Sequence, residues 1–299
     1  MNTDVVIIGG GSAGLQAALT LGRMRFDVVV VDAGRPSNAP AHAIGGLLGA
    51  HDLAPLDLLA NGRAQLAELP SVSLVHGEAM RVDADRTVTL ADRTVLTARA
   101  VVLATGADYA VPDLPGIAEL WGTSVIHCPF CHGWESRDAR IGVFVENEER
   151  AAHVLPMLRR LSPDVELFAG LAAVRSQDGA LSAVVLPDGT EVPRDVLFVG
   201  APPAPRDAAF AQLPLERTGD AGLLAIDAFG RTSLAGIYAA GDLVSEAPAV
   251  VQALATGQRA AVGVTRDLGL QQADAGGDQP QRPGDAGRRG ELLGDRPAA

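Results

Sequence analysis

Residues 4–14 read Asp-Val-Val-Ile-Ile-Gly-Gly-Gly-Ser-Ala-Gly. The run Asp4–Ile8 is short and apolar, as a strand buried on both faces needs to be. Residues 15–24 suit a helix, and a second apolar run, Val28–Val31, ends on Asp32. Strand, glycine turn, helix, strand and acidic residue at this spacing form a complete dinucleotide fingerprint. Each position has a physical task. Gly9 allows the tight turn, and Gly11 lets the backbone approach a pyrophosphate. Ser12 and Ala13 then lead to Gly14, which lets the helix close on the strand. Asp32 can accept from ribose hydroxyls. The pattern calls for an ADP-containing cofactor without saying which.

Two later stretches extend it. Arg99-Ala100-Val101-Val102-Leu103-Ala104-Thr105-Gly106-Ala107 is an apolar strand closing on Ala-Thr-Gly, after several short strands between 71 and 98. Gly236-Ile237-Tyr238-Ala239-Ala240-Gly241-Asp242 is a second strand, ending on Gly-Asp. We expect Gly241 and Asp242 to open the next helix, whose N-terminal amides would suit an electron-rich group. Gly257, Ala260 and Ala261 fit a closing helix, with Ala253 near its start.

The middle of the chain holds both cysteines, in His127-Cys128-Pro129-Phe130-Cys131-His132. Three readings are open: a redox dithiol, half of a zinc site, or two unconnected core residues. A structural zinc normally takes four Cys or His ligands in paired clusters. The remaining histidines, His42, His51, His76 and His153, are scattered without ligand spacing, so no metal site is assigned. Pro129 suits the first turn of a helix starting near Cys128. A helix N-terminus or a neighbouring imidazolium lowers a cysteine pKa toward thiolate at neutral pH.

Composition narrows the function classes. At 299 residues the chain is long enough for two domains. Hydrophobic residues make up 47%, charged ones 20% and aromatic ones only 4%, so the core is built from Ala, Val and Leu. The net charge is −12, and every basic residue is arginine. No basic run or basic helical face exists, which argues against a nucleic-acid partner. No apolar run is long enough to span a membrane, and no secretory leader precedes Gly9. A cytoplasmic location is expected. There two cysteines point to catalysis or metal rather than to a disulfide scaffold.

With the glycine turn, Ala104-Thr105-Gly106, Cys128–Cys131 and Gly241-Asp242 in this order, residues 1 to about 270 resemble the low-molecular-weight thioredoxin reductase family. The resemblance implies an α/β fold of two dinucleotide-binding, Rossmann-like three-layer domains, the second inserted into the first. An FAD domain would span 1–113 and 224–270, and an NAD(P)-type domain carrying the dithiol would span 114–223. It implies FAD as cofactor, with Asp242 on the ribityl chain. It also implies that Cys131 is the sulfur nearer the flavin, that Cys128 exchanges with substrate, and that the protein is a homodimer. His132 stands where reductases place an acid–base aspartate, and an imidazole there can take a thiol proton near pH 7. His127 could do so from the other side.

The inserted domain departs from the reductase pattern. After Ile141-Gly142-Val143-Phe144-Val145 a Gly-x-Gly-x-x-Ala turn should follow. The chain has Glu146-Asn147-Glu148-Glu149-Arg150-Ala151. Three carboxylates stand where a pyrophosphate would approach. Where NADPH-dependent reductases carry an arginine pair, it has Ala169-Gly170-Leu171. The domain is expected to keep its fold and to have lost its nicotinamide cofactor. The string Cys128-Pro129-Phe130-Cys131-His132-Gly133-Trp134-Glu135 resembles the dithiol oxidases of gliotoxin-type and holomycin-type biosynthesis, which also lack a nicotinamide site. That resemblance implies an FAD-dependent oxidase of a small-molecule dithiol, with dioxygen as acceptor. A reductase drawing on NAD(P)H or another donor, and a non-enzymatic flavin redox sensor, are the alternatives. From Gln271 the chain turns to Gly, Pro and mixed charge, and 271–299 reads as an unstructured tail.

Overall fold

A computed structural model describes residues 2–50 and 52–274. The first part of the chain forms β1 (Asn2–Ile8), α1 (Ser12–Arg23), β2 (Val28–Asp32), α2 (Pro55–Ala67), β3 (Val72–His76), β4 (Ala79–Val82), β5 (Thr87–Leu90) and β6 (Val95–Leu103). β1 pairs in parallel with β2 and β6, placing Val5–Ile8 at the centre of a seven-stranded sheet. The sheet order is β3-β2-β1-β6-β5-β4. β6 is long enough to serve two neighbours on one edge. Its residues 95–97 pair antiparallel with β5, and its residues 101–103 pair in parallel with Ile237–Ala239, far along the chain.

The alternation of β1 divides the core. Val5 and Ile7 pack under α1 with Ala17, Ala18 and Leu21. Val6 and Ile8 face Val82, Val88 and Phe210 on the opposite side. No residue of β1 from Val5 to Ile7 keeps solvent access, as a sheet covered on both faces requires.

The middle of the chain adds β7 (Ala107–Tyr109), α3 (Ile117–Leu120), β8 (Val125–Ile126), α4 (Pro129–His132), β9 (Ile141–Phe144), α5 (Glu148–Leu158), β10 (Val165–Leu167), β11 (Ala173–Gln177), β12 (Ala180–Val185), β13 (Glu191–Pro193), β14 (Val196–Val199) and β15 (Pro203–Pro205). A second sheet, order β10-β9-β14-β8, is parallel throughout. A β11-β12-β13 antiparallel sheet covers one face, and α5 packs Val154 and Leu158 on the other. These are the layers expected of a dinucleotide-binding domain. The strands leaving and re-entering the first unit, β7 and β15, pair with each other.

Ala209, Phe210, Leu213 and Leu215 already pack in the core of the seven-stranded sheet. That packing supports a return crossing at β15, ahead of the 223/224 boundary expected from the sequence. No motif marks the crossing. The closing helix, α6 (Val250–Asp274), lies against α1. It continues past the boundary at 270 where the tail was expected to begin, and the rest of that tail, 275–299, lies outside the described residues.

Candidate active site

One cavity of about 640 Å³ runs from the glycine turn to the dithiol. Gly9, Gly11, Ser12, Ala13, Asp32, Ala104, Thr105, Gly106, Gly241, Asp242 and Ala253 all line it, together with His127, Cys131 and His132. Two of the expected residues do not. Gly14 packs behind the turn, and Cys128 lies outside the cavity wall.

The glycines divide by what surrounds them. Gly9 has a φ of +111°, and a Cβ there would stand 2.1 Å from the Ala104 carbonyl oxygen. A Cβ on Gly14 would stand 1.9 Å from the Gly9 carbonyl. Both positions exclude side chains because backbone packs on backbone. Gly11 is different: a Cβ there would meet nothing within 4 Å. Its bareness serves the cavity rather than the fold, which fits a pyrophosphate lying against it.

Asp32 stands at the far end. Burial works against its charge, but hydrogen bonds from the Gly34 and Gly10 amides and from Arg63 outweigh that and hold its carboxyl below the usual range. Gly34 N–H and Arg63 Nη2 donate at 2.9 and 2.8 Å.

At the near end, Thr105 Oγ1 donates to the Arg206 carbonyl at 2.6 Å. Asp242 is deeply placed, and desolvation raises its pKa even though a hydrogen bond from Tyr109 and the charge of Arg206 oppose this. The Tyr109 hydroxyl reaches Asp242 Oδ2 at only 3.4 Å. A half-buried carboxyl whose one hydrogen bond among the described residues is long is short of donors, and the hydroxyls of a ribityl chain would supply them.

The expectation that Gly241-Asp242 opens a helix is corrected. Residues 241–243 form a single 3-10 turn, and the next α-helix begins at Val250. Gly241, at φ +75°, turns the chain sharply instead, so a helix dipole does not act at Asp242.

Residues from Asp32 to Ala253 thus fit one extended dinucleotide with a polyhydroxyl middle. On that fit, Asp242→Ala is expected to weaken retention of the cofactor about tenfold to a hundredfold, the worth of a hydrogen bond to a charged group. Flavin absorbance per protein after gel filtration reads this directly. A fully loaded variant would remove Asp242 from the cradle.

Cys128 and Cys131 form a disulfide, with Cα atoms 5.3 Å apart. Cys128 caps the N-terminus of α4, and Pro129 takes its first position, as expected. The helix is only one turn long, so its dipole is slight. Gly45 approaches from the first unit so closely that a Cβ would stand 2.1 Å from the Cys131 carbonyl oxygen. The loop that the sequence left uninterpreted therefore covers the inner cysteine.

The histidines are not imidazolium ions. Desolvation drives His127 down to about 4, with the charges of His132 and Arg150 assisting. His132 is also lowered by desolvation, against a small opposing effect of Glu135. Burial leaves both rings neutral at pH 7, so no imidazolium acts on the thiols, and a neutral imidazole is the form that can take a thiol proton. His127 stacks on Trp121, with centroids 5.1 Å apart and planes at 20°, and Tyr109 lies 4.5 Å away on a tilted plane. Neither nitrogen of His132 has a hydrogen-bond partner among the described residues.

Tyr109, Trp121 and Arg63 join the site without having been singled out in the sequence.

At the carboxyl end of the second sheet, Asn147 caps α5, its side chain accepting from Arg150 N–H at 2.8 Å. Glu148 and Glu149 fill the first turn. Leu171, where an arginine would read a 2′-phosphate, is buried in the core.

Comparison with known proteins gives a consistent family. A family model described as pyridine nucleotide-disulphide oxidoreductase matches residues 3–154 and 145–258. A relative from Claviceps purpurea named thioredoxin reductase tcpT is 31% identical over 311 residues, covering 90% of this chain and 97% of its own. Thioredoxin reductase sirT from Leptosphaeria maculans is 29% identical, covering 87% and 93%. Among solved structures, HlmI superposes with a TM-score of 0.86 at 34% identity, over 92% of this chain and 95% of its own. An oxidoreductase from Agrobacterium tumefaciens gives 0.82 at 28% identity, over 90% and 99%.

Proposed function

The chain belongs to the pyridine nucleotide-disulphide oxidoreductase family as a thioredoxin-reductase-like FAD flavoprotein, and from that premise we propose that it is a dithiol oxidase. Its substrate on this reading is a small natural-product dithiol, closed to an intramolecular disulfide. Dioxygen is the final acceptor.

The observation that carries this direction is the cap on α5. A nicotinamide dinucleotide needs free amides at that helix start. Asn147 already occupies one of them. The flanking exposed carboxylates each add about 1 kcal/mol of repulsion toward a pyrophosphate after screening. With the donor's seat closed, electrons enter through the dithiol.

The chain's own groups then divide the work. One substrate thiol gives its proton to His132, whose nitrogens are unpartnered and whose ring is neutral. The resulting thiolate attacks Cys128, breaking the Cys128–Cys131 bond and releasing the Cys131 thiolate. The second substrate thiol gives its proton to the released Cys131 thiolate, closes on the first sulfur and expels the Cys128 thiolate, which recovers the proton held by His132; substrate disulfide and enzyme dithiol remain. Bound FAD supplies the acceptor for the dithiol's two electrons and a route to dioxygen, which leaves as hydrogen peroxide. His127, clamped between Trp121 and Tyr109 and much the weaker base, positions the segment rather than carrying the proton. The FAD unit is assigned to both ends of the chain and the dithiol unit to its middle. A cytoplasmic homodimer is the state in which we expect the enzyme to work.

The test is an oxygen electrode with purified holoenzyme and a reduced holomycin-type dithiol. Oxygen uptake with matching peroxide, and no anaerobic bleaching by NADPH or NADH, is the expected result. Rapid bleaching by NADPH with no dithiol-driven uptake would establish a reductase instead.

A further inference from the structure

Three parallel strands bring their carboxyl ends together at the dithiol. Leu197 and Phe198 of β14 register with Val125 and Ile126 of β8, and Phe198 and Val199 with Val143 and Phe144 of β9. Just beyond these pairs come His127-Cys128, Gly200 and the turn at residues 145–147, which leads into Arg150 in the first turn of α5. In doubly wound sheets this edge is where ligands bind. A Cβ on Gly200 would lie 3.8 Å from the Arg150 Nε, so the guanidinium rests against bare backbone at that edge. Arg150 is partly buried, and among the described residues no carboxylate pairs with it, although Glu146, Glu148 and Glu149 adjoin it in sequence.

We infer that Arg150, in the degenerate nucleotide turn, is the fixed positive charge that favours the thiolate of Cys128 in the reduced enzyme.

The other sources of such an effect are weak here. α4 is one turn long. The titratable and charged groups around the dithiol are His127 and His132 on its own segment, Glu135 after it, Tyr109 on β7, Asp242 and Arg206 across the cavity, and Arg150. Both imidazoles are neutral at pH 7, and desolvation keeps Tyr109 protonated. Glu135 and Asp242 are acidic and supply no positive charge. The covering loop contributes Gly45 and Gly46, which do not titrate. Arg206 also brings positive charge to the cavity, but Asp108 pairs with it at 2.6 Å. Arg150 is the cation without a carboxylate partner among the described residues, and its field is felt at His127, the residue next to Cys128.

The chemical consequence follows from thiol exchange. Cys128 is the group expelled when the product disulfide closes, and a leaving thiol of lower pKa departs faster. The turn that lost a cofactor would in this way serve the exchange step. The inference rests on the dithiol-oxidase reading for the identity of that step, but not for the charge itself.

The experiment alkylates the reduced holoenzyme with iodoacetamide across pH and quantifies the Cys128 adduct by peptide mass spectrometry. In Arg150→Gln the alkylation midpoint should rise by about one pH unit, and the rate at pH 7 should fall about tenfold. The rates should converge with wild type above the shifted midpoint. Arg150→Lys should restore the midpoint to near wild type. An unchanged midpoint in the glutamine variant, or a lysine variant shifted as far as glutamine, overturns the inference. The readout needs no turnover, so it stands or falls separately from the choice of dioxygen as acceptor. A purely structural role would lower stability without moving the midpoint.

Discussion

Cys131→Ser is expected to abolish turnover, by at least about a thousandfold, and to retain on Cys128 a thiol delivered to it as an activated mixed disulfide. The two cysteines occupy unlike places. Cys131 lines the cavity with Ala104, Thr105 and Gly106, under the loop that carries Gly45. Cys128 stands outside that cavity at the start of α4. An incoming dithiol therefore meets Cys128 first. Without Cys131 there is no inner thiol to displace the adduct or to pass electrons on. A monothiol activated as a mixed disulfide should then load Cys128 in stoichiometric yield, seen as one added mass on the intact protein. Cys128→Ser should be equally inactive but should not load, because the surviving thiol is enclosed. If the adduct instead accumulates on Cys131 in the Cys128 variant, the two roles are reversed.

A second large effect is expected at Gly14, and Gly11 sharpens it. In Gly14→Ala the new Cβ meets the Gly9 carbonyl at 1.9 Å, and neither partner is a side chain that can turn away. α1 must lift from β1, in the most buried part of the molecule. Overpacking of this kind costs about 3 kcal/mol or more, against a total stability of order 5–15 kcal/mol. A fall in Tm of roughly 10 °C and loss of flavin are expected together. Gly11→Ala should separate the two. Its Cβ touches nothing, so Tm of the flavin-free protein should stay at the wild-type value while flavin occupancy drops. Thermal melts of flavin-stripped protein, beside absorbance spectra of the loaded form, compare them. A Gly11→Ala protein that loads fully would show that the pyrophosphate lies elsewhere.

The contrast explains what could be read in the sequence. Gly9 and Gly14 are legible because local backbone geometry forbids anything else there. The alternation in β1, and the order of glycine turn, dithiol and Gly-Asp, follow from equally local demands. The inner placement of Cys131 agrees with what the family resemblance implies, whereas the cap at Asn147 comes only from the fold. Tyr109, Trp121 and Arg150 are ordinary residue types whose importance comes from register between distant strands. Nothing in a window around each of them encodes that register. The protonation state of the histidines is not legible for a related reason. Solvent exposure decides whether a ring near the thiols is protonated, and exposure of His127 is set by Tyr109 and Trp121 closing over it. Gly241-Asp242 was read as a helix start because Gly-Asp suits many turns alike. Its φ of +75° is visible only in the fold.

The long strand β6 has a consequence for how the protein is made. Its last residues wait for Ile237–Ala239, and α1 waits for α6, where Gly257 lies so close that a Cβ would stand 2.1 Å from the Ala13 carbonyl oxygen. A ribosome adds roughly 5–20 residues per second, and domains tend to close as they emerge. The dithiol unit, contiguous in sequence, can finish while the flavin cradle is still missing its final strand. The thiols therefore emerge into the cell before the group that will oxidise them has anywhere to bind. On that order cofactor loading is expected to come last, with the cysteines depending until then on the redox state of their surroundings.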